Sequence, residues 1–282
     1  MAGERLGLLY LRAAASALPL AGKLPFLPGG GGSATGLRRE QRGLAVDPAR
    51  LAAYRQLCGF ADRQELPPTY PHVLAFPLQL AVLCDGRFPF SPLGLVHLEN
   101  KLELRGPLEA GERYDLAVWA EGPVSHRRGL AVTVYKEAAV GGEVRWRERS
   151  VFLRLQQAAG GGGGGGSEQP GGEPVGELVA PAEIGRRYAA VSGDRNPIHT
   201  HAAAARLFGF RGPIAHGMWV KARALAALGD RLPEAYTCTV RFRSPLYLPG
   251  RATVRLQERD GRLALTVVGG EGKTHLEGEV VG

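Results

Sequence analysis

Residues 192–199 read Ser192-Gly193-Asp194-Arg195-Asn196-Pro197-Ile198-His199. The stretch sets an acid and an imidazole five positions apart, with an Asn-Pro dipeptide between them. Asn is a favoured N-cap, and Pro is favoured at the first helical position because the N–H it lacks is not needed there. Asn196 is therefore predicted to cap a short helix that Pro197 opens, with His199 in its first turn and Asp194 on the loop just outside. Two proton-handling side chains with different reference pKa values would then face one small volume at a rigid loop-to-helix junction. Such a pair suits moving a proton on and off one water molecule.

Outward from this stretch, the chain divides in two. Gly160 to Gly166 is an uninterrupted glycine run followed by Ser167-Glu168-Gln169-Pro170-Gly171-Gly172. A segment with no side chains to bury behaves as a flexible tether. The expected organisation is a first unit over 1–155 that includes an N-terminal arm, a tether over 156–176 and a second unit over 177–282. The two units look like diverged copies. Val46-Asp47-Pro48-Ala49 leads through Tyr54 to Cys58-Gly59-Phe60, and Val179-Ala180-Pro181-Ala182 leads through Tyr188 to Ser192-Gly193-Asp194. Pro107-Leu108-Glu109-Ala110-Gly111 matches Pro245-Leu246-Tyr247-Leu248-Pro249-Gly250. The offset is 133 residues at the first prolines and 138 at the later ones. Phe60 stands where the second copy has Asp194, and no Asn-Pro-x-His follows it, so only the second copy looks chemically equipped.

Each copy shows the same coarse pattern. A proline-opened helix (48–57; 181–191) precedes a longer apolar helix (73–83; 214–228). In the latter, Ile214, Met218, Ala222, Leu225 and Leu228 recur at helical spacing, and Trp219, Val220 and Ala226 widen the apolar face. Alternating strands follow, at 98–104, 114–121, 130–140 and 144–155 in the first copy and 237–243, 251–257, 263–268 and 275–281 in the second. One buried helix plus a meander of long antiparallel strands is an α+β unit, and two such units side by side would join their sheets across a pseudo-twofold.

Composition narrows the function classes. The chain has 282 residues, 44% of them hydrophobic, enough for a substantial core. Cys58, Cys84 and Cys238 are far apart and odd in number, so neither a disulfide framework nor a zinc motif is expected, and a reducing cytoplasm is the expected location. The net charge is +8, but Lys and Arg form no dense run and are not interleaved with Trp and Phe. No nucleic acid is expected; a polyanionic small molecule such as a phosphate-bearing thioester carrier fits the charge. At the N-terminus, Glu4 and Arg12 interrupt an otherwise apolar stretch, which argues against a cleaved signal and for an amphipathic arm packed on the first unit. The longest apolar run elsewhere, 73–84, contains Pro77 and Gln79 and is too short to insert in a membrane, which takes about 20 residues. His199 and His201 lie at i and i+2 and face different ways on a helix, so no metal is expected.

The residues carry a resemblance. Tyr188-x-x-x-Ser192-Gly193-Asp194-x-Asn196-Pro197-Ile198-His199, Ala205-x-x-Phe208-Gly209-Phe210 and Pro213-Ile214-Ala215-His216-Gly217-Met218 resemble the MaoC-like, (R)-specific enoyl-thioester hydratase (hydratase 2) family. The first copy is similar to the non-catalytic domain of its double-hotdog members at Leu66-Pro67-Pro68-Thr69-Tyr70-Pro71, Phe88-Pro89-Phe90, His97-x-Glu99-Asn100 and His126-Arg127-Arg128-Gly129. The resemblance implies two hotdog units, each a long helix wrapped by an antiparallel sheet. It also implies reversible hydration of 2-enoyl thioesters to (R)-3-hydroxyacyl thioesters in fatty-acid metabolism, with Asp194 and His199 as the catalytic pair. Asn196 would position them, and the Gly217 N–H would stabilise the thioester oxygen. Met218 is expected in the core or in the wall of an acyl pocket. Lys221, Arg241 and Arg243, with Arg206, Arg211 and Arg223, are candidates for the phosphates of a coenzyme A or acyl-carrier-protein thioester. No cofactor is implied. The assembly would be a monomeric pseudo-dimer or a homodimer. Two other readings stand beside this one: a hotdog thioesterase in which Asp194 turns water on the carbonyl carbon, and a non-catalytic acyl-thioester-binding partner subunit.

Overall fold

A computed structural model describes residues 2–16, 27–29, 31–155 and 171–282. Among the described residues, ten strands make one antiparallel sheet. The first unit supplies β1 (Leu37–Ala45), β2 (Val96–Leu104), β3 (Arg113–His126), β4 (Gly129–Val140) and β5 (Glu143–Leu155). The second supplies β6 (Glu173–Ala180), β7 (Tyr236–Phe242), β8 (Gly250–Arg259), β9 (Arg262–Gly269) and β10 (Thr274–Val281). Their spatial order is β1-β3-β4-β5-β2-β7-β10-β9-β8-β6. The order reads the same from either end once β1, β3, β4, β5 and β2 are matched with β6, β8, β9, β10 and β7. A pseudo-twofold therefore runs between β2 and β7, which pair from Glu99 opposite Arg241 to Leu104 opposite Tyr236.

Among the described residues there are six α-helices: α1 (Ala2–Ala15), α2 (Pro48–Cys58), α3 (Tyr70–Leu83), α4 (Ile184–Ser192), α5 (Ala202–Leu207) and α6 (Gly217–Leu228). The causes of α2 are local. Asp47 caps it by accepting from the Ala49 and Arg50 N–H groups, Pro48 opens it, and Gly59 closes it in the left-handed conformation. Helices α3 and α6 are held by burial. Eleven residues of α3 are buried, and α6 buries Met218, Trp219, Val220, Lys221, Ala222, Ala224, Leu225 and Leu228. A helix apolar nearly all round is stable only when wrapped, and the sheet wraps both. The architecture is a double hotdog. Tyr54 and Tyr188, the equivalent tyrosines of the two copies, meet near the pseudo-axis with ring centroids 6.2 Å apart.

Several expectations are corrected. Helix α3 begins at Tyr70 rather than at 73, and α6 at Gly217 rather than at 214. Asn196 is followed by a single 3₁₀ turn, Pro197–His199, and its side chain makes no capping hydrogen bond. Strands β1 and β6 were not anticipated. β6 starts at Glu173, inside the range assigned to the tether; residues 156–170 of that range lie outside the described residues. The N-terminal arm is helix α1, packed through Leu6, Leu9, Tyr10 and Ala13 on Phe76, Leu80, Cys84 and Leu93. Among the described residues no helix is long and apolar enough to cross a membrane.

Candidate active site

Helix α4 stops at Gly193, whose φ of 85° turns the chain out of the helix and starts the loop that carries Asp194. The Asp194 N–H donates to Ser192 Oγ at 3.1 Å, and Asp194 Oδ1 accepts from the Asn196 N–H at 3.1 Å. The 3₁₀ turn then brings His199 back, and its Nδ1 lies 2.9 Å from the Ile214 carbonyl. A carbonyl only accepts, so Nδ1 carries the proton and Nε2 keeps its lone pair. The turn sits tight against α4: a Cβ on Gly185 would lie 1.9 Å from the His199 carbonyl oxygen.

A third group completes the cluster. The His216 Nε2–H donates to the Asp194 backbone carbonyl at 3.0 Å, and Nε2 lies 4.0 Å from Asp194 Oδ2. The His199 and His216 rings stack with centroids 3.7 Å apart and 26° between planes. One ligand-capable atom from each of Asp194, His199 and His216 lies within 4.8 Å of the other two. That spacing lets one water bridge the carboxylate and an imidazole. The same trio has the residue types of a metal site, which the sequence reading had not assembled. However, stacked imidazoles hold their lone pairs in nearly parallel planes and aim them poorly at one tetrahedral centre.

Electrostatics fix the resting charges. Burial would raise the Asp194 carboxyl, but the neighbouring imidazoles and the Asn196 N–H outweigh it and hold it below the usual carboxylate range. Burial lowers His199, against the opposing pull of Asp194. Burial, with His199 beside it, lowers His216 to about 3. The cluster at neutral pH is therefore one carboxylate and two neutral imidazoles.

The cluster opens on a cavity of about 500 Å³ that crosses the seam between the units. From the second unit it is lined by Asp194, Asn196, His199, Gly217, Met218, Phe242 and Arg243. From the first unit come His72, Phe76, Gln79, Leu80, His97 and Phe152. Gly217 is the first residue of α6, and the N–H groups of a first turn have no partner within their helix. A Cβ on Gly217 would lie 2.9 Å from the Phe242 ring, so a larger residue there would force that ring to shift.

The expected residues separate here. Asp194, His199, Asn196, Gly217 and Met218 all line the cavity, and Arg243 lines its wall while paired with Glu277 at 2.5 Å. Lys221 does not reach the cavity. It is fully buried and donates to Asn100 Oδ1 at 2.5 Å and to the Cys238 carbonyl at 3.3 Å. From Asn100 a polar chain continues through Ser150 and Glu148 to Lys136 and His72 in the first unit. Arg241 is held on the outer side of the seam by Glu99 at 3.4 Å. Arg211 lies over the Tyr247 ring at 4.1 Å. Lys273 and Arg128 line the cavity instead. His216 enters the sequence pattern only as part of the 213–218 motif, and as a histidine bonding a carbonyl it would count as structural. That bond exists, but the carbonyl belongs to Asp194, which makes His216 part of the site.

The fold and the acid–imidazole loop together define a class: this chain belongs to the MaoC-like dehydratase family. The MaoC like domain model matches residues 169–279. The chain is 38% identical over 277 residues, 96% of each protein, to 3-hydroxyacyl-thioester dehydratase X of Mycobacterium tuberculosis. The crystal structure of HtdX from the same organism superposes with a TM-score of 0.79 at 36% identity, covering 87% of this chain and 99% of that one. A MaoC-like dehydratase from Phytophthora capsici shares the fold, with a TM-score of 0.69 at 21% identity over 86% of this chain and 94% of that one.

Proposed function

We propose that this protein catalyses the reversible, (R)-specific hydration of 2-enoyl thioesters to 3-hydroxyacyl thioesters in fatty-acid metabolism, with Asp194 and His199 as the catalytic pair. The observation that carries this reading is the convergence of an ionised carboxylate and a neutral imidazole on one water-sized gap in the wall of a largely apolar cavity. In hydration, the gap holds the water. The pair takes one proton from it, the hydroxide adds to Cβ, and negative charge moves to the thioester oxygen. The pair then returns a proton to Cα. Dehydration runs the same steps backward, so one proton is moved and one water gained or lost. The pair contributes about 10²–10⁴-fold.

The Gly217 N–H, at the positive end of α6, faces the developing enolate oxygen; losing one such donor costs about 10²–10³ in rate. Asn196 fixes the carboxylate through its backbone N–H. The acyl chain occupies the part of the cavity walled by α3 and β2. Arg243, Lys273 and Arg128 supply positive charge for the phosphates of coenzyme A or acyl carrier protein. The chemistry draws on water and these side chains, calls for no cofactor, and suits a cytoplasmic location. The double hotdog supplies a complete site from one chain, as a monomeric pseudo-dimer does.

The test is loss of enoyl absorbance with crotonyl- and dodecenoyl-CoA. Asp194→Asn and His199→Ala should each remove at least 99% of kcat while the melting temperature stays within a few degrees. Wild-type-like rates in both variants would reject the mechanism, and release of free thiol without loss of the double bond would point to a thioesterase.

A further inference from the structure

Helix α1 reaches the active-site loop through one side chain. The Tyr10 hydroxyl donates to the Gly193 carbonyl at 2.7 Å and accepts from the Arg195 N–H at 2.6 Å. These two peptide groups bracket Asp194, and the left-handed turn at Gly193 takes both out of the α4 ladder. Within the second unit, Ser192, Asn196 and His216 hold the Asp194 N–H, carboxylate and carbonyl respectively. Tyr10 reaches the two peptide groups beside Asp194 from outside that unit, some 180 residues away in sequence, while Arg50 Nε of the first unit donates to the Val191 carbonyl at 2.7 Å at the end of α4. Its phenol stays protonated, because burial and the Asp194 charge both raise its pKa.

The anchoring of Tyr10 is separate from its contact with the loop. Leu9 and Ala13 pack on Phe76, Leu80 and Cys84, and Ser16 Oγ donates to Ser91 Oγ at 2.9 Å. Tyr10 and Ala13 also form part of the cavity wall. The arm is thus fastened to α3 of the first unit and presents a two-sided hydrogen bond to the loop of the second.

We propose that Tyr10 is a positioning residue for the reaction: its hydroxyl clamps the Gly193–Arg195 backbone and so fixes the direction of the Asp194 carboxylate. This rests on the dehydratase reading above. Releasing the loop gives up two hydrogen bonds, and a carboxylate displaced by about 1 Å loses about 10²-fold in rate.

The experiment uses the full chain with crotonyl-CoA and compares wild type, Tyr10→Phe, Ser16→Ala, Asp194→Asn and the Tyr10→Phe/Asp194→Asn double variant. Tyr10→Phe keeps the ring and its packing, so kcat should fall about ten- to a hundredfold with KM within twofold. Ser16→Ala loosens the arm away from the loop and should leave kcat within twofold. In the Asp194→Asn background, adding Tyr10→Phe should cost less than twofold more, because a residue acting through the carboxylate has nothing left to position. Amide exchange at Arg195 should rise at least tenfold in Tyr10→Phe and stay at the wild-type rate in Ser16→Ala. An unchanged kcat or exchange rate in Tyr10→Phe overturns the inference. So does the same factor lost in both backgrounds, or an equal loss from Ser16→Ala. No turnover by wild type would instead overturn the dehydratase reading and with it this catalytic role, while the exchange result would still decide whether the clamp exists.

Discussion

Gly185→Ala is a methyl-sized perturbation with a calculable displacement. The new Cβ would lie 1.9 Å from the His199 carbonyl oxygen, where real Cβ atoms essentially never come closer than 3.0 Å. The neighbour is backbone rather than the end of a flexible side chain. The 3₁₀ turn must therefore retreat by about 1 Å, a displacement that costs about 10²-fold when it falls on a reacting group. Retreat is resisted at several points. The His199 N–H is bonded to the Asn196 carbonyl, the Ile214 N–H to the Ile198 carbonyl, and His199 Nδ1 to the Ile214 carbonyl. The imidazole must either follow its backbone or lose its tether. Alanine also gains about 1 kcal/mol of helix propensity over glycine, which offsets part of the strain in the melting temperature. We expect kcat for crotonyl-CoA hydration to fall about a hundredfold with KM within threefold. Gly212→Ala, where an added Cβ meets nothing within 4 Å, should be silent. A folded Gly185→Ala enzyme with kcat within threefold of wild type would refute the claim that the position of His199 limits the reaction.

Acid stability follows from the buried imidazoles. Burial lowers His97 and His216 to about 3, whereas histidines in an unfolded chain titrate near 6.5. The unfolded state therefore takes up protons first, and stability is complete above 6.5 and is lost as pH falls toward 3. Each such residue should contribute about 2 kcal/mol of loss by pH 5. His97→Phe keeps the aromatic stack against Phe152 and Phe242 and removes an unpartnered nitrogen, so melting curves at pH 7 and 5 should show higher stability and a shallower decline. A steeper decline would contradict the assignment. Arg243→Ala should raise KM for coenzyme A substrates about fivefold, the scale of a roughly 1 kcal/mol exposed charge contact. Lys221→Met should leave that KM within twofold while lowering stability by about 1–3 kcal/mol, because Asn100 loses its buried partner. Equal KM changes in the two variants would mean that Lys221 also senses the carrier.

What the sequence revealed depended on how local the cause was. Strands β3 and β4 were legible because inward and outward residues alternate along them. β1 was not: Leu37 is its one fully buried residue, and Arg38-Arg39-Glu40-Gln41-Arg42 has no period of two. β6 hid behind Pro174 and Gly176 at the edge of the glycine-rich segment. Asp194 and His199 were legible because one short motif holds both. Tyr10 was not, since its partners lie in another unit and no pattern along the chain marks the meeting. Lys221 misled for a related reason. Helix α6 is enclosed on nearly every side, so a cation on it points into protein where the same spacing on a surface helix would point to solvent.

The β2–β7 seam has a further consequence. In an assembly of two identical subunits, every substitution is made twice, and a residue that widens one binding groove also alters the other catalytic loop. Here the equivalent positions sit in a single polypeptide and mutate independently. Under the proposed function, α3 and β2 could vary with the length of the acyl chain while the loop at 192–199 stays constrained by chemistry. The first unit carries Phe60 in place of an acid, so reach and reactivity would be separate heritable traits.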